Sequence, residues 1–131
     1  MNLLLDTHVW LWWLDGSRRL GAAARRAIEK GDSVVWVSAA TAWEIAIKVG
    51  LGRLTLGEPP EECVPREMER SGFQPLAIGI DHALAVRALP AHHRDPFDRL
   101  LIAQARMDHL TIITADPVFR RYDVRVLDAR E

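Results

Sequence analysis

Residues 1–14, MNLLLDTHVWLWWL, decide how the rest of the chain is read. Met1–Leu5 is a short, continuous apolar run of the kind found in a fully buried strand. Asp6-Thr7 interrupts it, and apolar residues resume over His8–Leu14 as a helix, with Trp10 and Trp13 on one face at i, i+3. A strand that passes directly into a helix is the first half of a βαβ unit, so a parallel sheet is expected.

The alternation continues outward from that start. Leu20–Lys30, rich in Ala and Arg, reads as a helix closed by Gly31, and Ser33–Val37 as a β-branched strand. Ser38 is placed to cap a helix over Ala39–Val49, with Gly50 as its stop. Leu51–Pro60, with Gly52, Gly57, Pro59 and Pro60, is a loop. A polar helix over Glu61–Ser71, a strand over Phe73–Ile78 and a helix over Asp81–Leu89 follow. Pro90–Pro96 is a loop that carries His92 and His93. Phe97–His109 is a helix and Leu110–Thr114 a strand, then Pro117–Tyr122 makes a brief helical turn before a last strand near Arg125–Leu127. With no repeat or linker, residues 1–131 are expected to form one α/β domain. Its expected form is a three-layer α/β/α sandwich around a mainly parallel sheet of four to five strands.

Composition narrows the class. A chain of 131 residues buries roughly two-thirds of its unfolded surface on folding. The longest apolar stretch, Val9–Leu14, is far too short to span a bilayer. Asp6 and the lack of a basic leading segment argue against a signal peptide. Cys63 is the sole cysteine, which excludes an intrachain disulfide or a thiolate zinc cluster and suits a cytoplasmic location. The net charge of −1 offers no general attraction to nucleic acid. Yet 15 of the 17 basic residues are arginine, whose planar fork suits phosphate as well as ordinary ion pairs.

Four acids stand where an α/β chain places ligands. In open parallel sheets these bind beyond the carboxyl ends of strands, where strand order reverses. Asp6 ends the first strand and Asp116 follows the Leu110–Thr114 strand. If those strands are neighbours at the reversal, the two carboxylates share a crevice. Each also has a plain alternative as a helix cap. Glu44 lies four residues before Lys48, the spacing of a surface ion pair, yet Trp43, Ile45, Ala46 and Ile47 surround it with apolar bulk. In Asp95-Pro96-Phe97-Asp98, proline at the first helical position makes Asp95 the cap and leaves Asp98 in the first turn for chemistry. The hydroxyls of Thr7 and Thr114 are placed to support carboxylates. His92 and His93 border the acidic helix start, but adjacent loop residues seldom share one ion, and His8 adjoins Asp6. Five tryptophans in a chain this short hint at a protein interface.

Taken in order, Leu3–Leu11, Ser38–Lys48, Asp95–Ala105 and Thr114–Asp116 resemble the four acidic motifs of PIN-domain ribonucleases, and most closely those of VapC-type toxins of toxin–antitoxin pairs. The resemblance spans the whole chain. It implies RNA cleavage dependent on Mg²⁺ or Mn²⁺, a homodimer, and inhibition by a VapB-like antitoxin. Carried over by position, the catalytic acids are Asp6, Glu44, Asp98 and Asp116. Asp6, Asp98 and Asp116 are then the direct ligands, and Glu44 a ligand or a group that orients water. Hard divalent cations favour such oxygen donors. The expected chemistry is hydrolysis that leaves 5′-phosphate and 3′-hydroxyl ends. A phosphatase that opens on a strand-end Asp wants a second Asp two residues on, where His8 stands. A silent RNA- or protein-binding module of the same fold would have no use for four acids at matching sites.

Overall fold

The computed structural model covers Met1–Glu131 throughout. Its five strands are β1 (Asn2–Leu5), β2 (Val34–Ser38), β3 (Gln74–Leu76), β4 (Thr111–Thr114) and β5 (Arg125–Asp128). They lie side by side in the order β3-β2-β1-β4-β5, and every pairing is parallel. The helices are α1 (Thr7–Asp15), α2 (Ala22–Glu29), α3 (Ala39–Gly50), α4 (Pro60–Ser71), α5 (Ile80–Ala85) and α6 (Pro96–Asp108). Short 3₁₀ segments occupy Val86–Ala88 and Pro117–Arg121. The expected α/β sandwich is therefore present, with the upper strand count and a sheet that is wholly parallel.

Strand periodicity divides the core in two. Leu3 and Leu5 pack with Val9, Trp10, Ile28 and Val64 on one face of the sheet. Leu4, between them, turns to the other face and packs with Leu101, Ile102 and Phe119. All three leucines are fully buried, which is why β1 reads as an unbroken apolar run instead of alternating.

Most element ends fall within one or two residues of the sequence reading, and three differences have a clear physical setting. The strand expected over Phe73–Ile78 contracts to Gln74–Leu76. Pro75 has no N–H for a second ladder, so it suits only an edge strand, and β3 is at the edge. The helix expected over Asp81–Leu89 tightens into the 3₁₀ segment after Ala85, just ahead of Pro90. Gly50 does not stop α3 but is its last residue, and the left-handed turn beyond falls at Gly52, with φ 71°.

The topology places the crevice. From β1 the chain steps outward to β2 and β3, then returns to β4 on the opposite side of β1. The reversal is thus between β1 and β4, where Leu5 pairs with Ile113 and the Asp6 N–H donates to the Ile113 carbonyl at 3.2 Å.

Candidate metal centre

Asp6 is the residue at which β1 becomes α1, and its side chain serves both elements. Oδ1 accepts the Val9 N–H at 2.9 Å and so caps α1. Oδ2 accepts the Thr114 hydroxyl at 2.5 Å. Burial holds the carboxyl above its ordinary pKa, against the opposing hydrogen bonds from Thr114 and Val9. Thr114, the last residue of β4, also accepts the Asp116 N–H at 3.0 Å, so one hydroxyl ties the two strand exits together.

Glu44 enters from α3. It is buried, with 4 % of its surface exposed, although its helix face looks like a solvent face by spacing alone. Oε1 accepts the Thr7 hydroxyl at 2.7 Å, and Oε2 accepts Lys48 Nζ at 2.6 Å. The expected i, i+4 pair forms, but between a buried carboxylate and a half-exposed ammonium.

Asp95 and Asp98 divide their tasks. Asp95 Oδ1 caps α6, accepting the N–H groups of Phe97 at 2.8 Å and Asp98 at 3.3 Å. Asp98, freed from capping, is half-buried and stands among several like charges. Its carboxyl is pushed up to about 8, chiefly by burial and then by the charges of Asp95, Asp6, Glu44 and Asp116. The other three acids singled out in the sequence, Asp6, Glu44 and Asp116, therefore all act on the Asp98 carboxyl group. Asp116 in turn caps the last 3₁₀ segment through Oδ1, which accepts the Val118 N–H at 3.0 Å.

His93 is the residue the sequence undervalued. Its Nε2 hydrogen-bonds Asp116 Oδ2 at 2.9 Å and also lies 2.9 Å from Asp98 Oδ2. His93, Asp98 and Asp116 are the group whose potential ligand atoms all fall within 4.8 Å of one another. Asp6, expected as a direct ligand beside Asp98 and Asp116, stands outside that group. The available signal was position: His93 precedes the α6 cap by two residues, and a loop returning to a helix start brings its side chain back to that end. His92 instead packs edge-on to Tyr122, 5.1 Å between ring centres, and His8 is exposed.

The donor set suits a hard divalent cation. Carboxylates dominate it, and the like charges gathered around Asp98 are what a cation would relieve. Aromatic bulk stands beside the acids, with exposed Trp43 edge-on to Phe97 at 5.0 Å.

The chain is similar to known proteins in sequence and in fold. The PIN-domain family model matches residues 3–125. Ribonuclease VapC22 of Mycobacterium tuberculosis is 32 % identical over 124 residues, covering 92 % of each chain. Ribonuclease VapC16 of the same organism is 42 % identical over 59 residues, which span 45 % of this chain and 40 % of that protein. In three dimensions the chain resembles one from the crystal structure of VapBC2 from Rickettsia felis bound to a DNA fragment from their promoter. That match has a TM-score of 0.73 and 12 % identity, and covers 97 % of this chain and 98 % of that one.

Proposed function

The chain belongs to the PIN-domain family, and on that premise we propose that it is a VapC-type endoribonuclease toxin dependent on a divalent metal ion, Mg²⁺ or Mn²⁺. The observation that carries the reading is the state of Asp98: a carboxyl raised to about 8, first by burial and then by the charges of Asp95, Asp6, Glu44 and Asp116. Such crowding is costly in a pocket without a cation and useful in one that binds it.

Asp98 and Asp116 would hold the ion, with Asp6 completing the acidic wall from the end of β1. A bound divalent cation supplies Lewis-acid stabilisation of the phosphodiester and lowers the pKa of water at the site. Glu44 has one oxygen on Thr7 and the other on Lys48, an arrangement suited to orienting water more than to direct ligation. Thr7 and Thr114 fix the Glu44 and Asp6 carboxylates from behind. In the proposed reaction, water attacks phosphorus and the bond to the 3′-oxygen breaks, leaving 5′-phosphate and 3′-hydroxyl ends.

Residues 1–131 act in this reading as one PIN unit, in the cytoplasm, with a VapB-like antitoxin holding the enzyme inactive. No helix is long and apolar enough to cross a membrane. The direct test is cleavage of RNA by purified protein with Mg²⁺ or Mn²⁺. Asp98→Asn should abolish cutting while the circular dichroism spectrum stays unchanged. Equal cutting by that variant, or by the wild type in excess EDTA, would overturn the metal–carboxylate assignment.

A further inference from the structure

His93 has no assigned part in the four-acid pattern, yet it touches two of the four acids. The wiring of its ring says which part it plays. Nδ1 accepts the backbone N–H of Asp95 at 3.3 Å, which leaves the imidazole proton on Nε2. That Nε2–H points at Asp116 Oδ2, 2.9 Å away. A histidine that ligates a metal almost always donates its other ring N–H to an acceptor. Here the other ring nitrogen meets a donor instead, so the ring is set up to give a hydrogen bond and not to bind an ion.

The backbone that carries the ring is anchored as well. The His93 N–H donates to the Tyr122 hydroxyl at 2.7 Å, and that hydroxyl donates to the Pro90 carbonyl at 2.9 Å. Arg99 reaches the His93 carbonyl at 3.3 Å with the same guanidinium that binds the Pro90, Val86 and Leu89 carbonyls. Phe119 packs edge-on against the imidazole, 5.7 Å between ring centres. Position and tautomer are therefore both imposed on His93 by its surroundings.

We infer that His93 is a positioning residue of the metal site and not one of its ligands: its Nε2–H locks the Asp116 carboxylate, whose other oxygen is already held by the Val118 N–H, in place beside Asp98. With both oxygens of Asp116 held, the carboxylate cannot rotate, and its remaining lone pairs keep a fixed direction. This inference rests on the reading of the acids as a divalent-cation site.

Calorimetric titration of the folded protein with Mg²⁺ and with Mn²⁺ tests it, alongside spin-echo spectroscopy of the Mn²⁺-loaded protein. His93→Ala is expected to weaken both ions alike, by about 10-fold or somewhat more, as removal of a partner behind a ligand does. His93→Gln, whose amide N–H falls near the place of Nε2–H, is expected to recover most of the loss. The wild-type Mn²⁺ signal should show no directly coordinated nitrogen. Unchanged affinity in His93→Ala overturns the inference. So does a much larger loss for Mn²⁺ than for Mg²⁺ together with a coordinated-nitrogen signal, which would make His93 a ligand. Failure of the wild type to bind either ion is a separate result, and it removes the metal-dependent nuclease reading itself.

Discussion

Asp98 shows most sharply what it costs to gather acids in one pocket, and the cost has a defined pH dependence. Its folded-state pKa of about 8 stands far above the ordinary 3.8. Between those values the folded chain holds a proton that the unfolded chain gives up, so stability falls as pH rises and levels off above about 8. The slope approaches about 1.4 kcal/mol per pH unit where the difference is fully in force. Asp98→Asn removes this group's share. In EDTA the variant should melt above the wild type at pH 7.5, with the gap closing toward about pH 3, below both pKa values, where the wild-type carboxyl is largely neutral in both states. Mg²⁺ should raise the wild-type melting temperature more at pH 8 than at pH 5, because a cation binds the ionised form, and should leave the variant nearly unmoved. Melts followed by circular dichroism across that range check both signs; a gap that shrinks as pH rises would remove the account. This scale was also where the sequence was most and least legible. Proline chemistry separated Asp95 from Asp98 correctly, and for Asp6 and Asp116 capping and pocket roles are both present, one oxygen to each. His93 was obscure because its position depends on a turn whose anchors, Tyr122 and Arg99, are hydrogen bonds that no spacing rule encodes.

At the scale of elements, the loop between the 3₁₀ segment Val86–Ala88 and α6 is held by two side chains, Tyr122 and Arg99, of which Arg99 makes the more backbone contacts. Arg99, in the first turn of α6, binds four backbone carbonyls through two guanidinium nitrogens, so the loop is held from inside its own curve. Lysine offers a single nitrogen and cannot span that set. Arg99→Lys is therefore expected to destabilise the protein by about 2 kcal/mol, since hydrogen bonds from charged groups contribute about 1.5–3 kcal/mol each and most of these carbonyls can regain water. The diagnostic measurement is hydrogen–deuterium exchange. Peptides covering residues 89–95 should exchange markedly faster, while those covering β1 stay protected, because Leu3–Leu5 lie in the core and not on the loop. Uniform acceleration across both would mean that Arg99 supports global stability only. Element type and order were readable from apolar runs, glycines and prolines. The ends were less so: β3 runs only over Gln74–Leu76, with Pro75 at its middle on the sheet edge, and edge position is a property of the assembled sheet.

The whole molecule was legible to the extent that topology follows from alternation. Strand, helix, strand repeated along the chain leads to a parallel sheet, and a parallel sheet has a reversal at which Asp6 and Asp116 meet. Partner surfaces are less readable, because an exposed apolar residue and a core residue look alike in sequence. Ile80 and Leu84 show the difference: spaced i, i+4 on α5, they are 82 % and 71 % exposed, more than any other large apolar side chains in the molecule. Two such residues on one helix face form a patch that another surface can cover. In a two-fold dimer the same patch meets itself, so a short apolar stripe on one helix is self-complementary. The resemblance to VapC-type toxins implies such a homodimer, and α5 is the face we propose for it. The 14.8 kDa chain should then sediment at twice its mass in the absence of antitoxin. The double variant Ile80→Asp, Leu84→Asp should sediment as a monomer with its helix content intact, since neither side chain contributes to the buried core. A variant that remains dimeric would move the interface elsewhere, with Trp43, Ile47 and Leu51 along α3 and the loop beyond it as the next exposed apolar row. A wild type that sediments as a monomer at micromolar concentration would remove the homodimer itself.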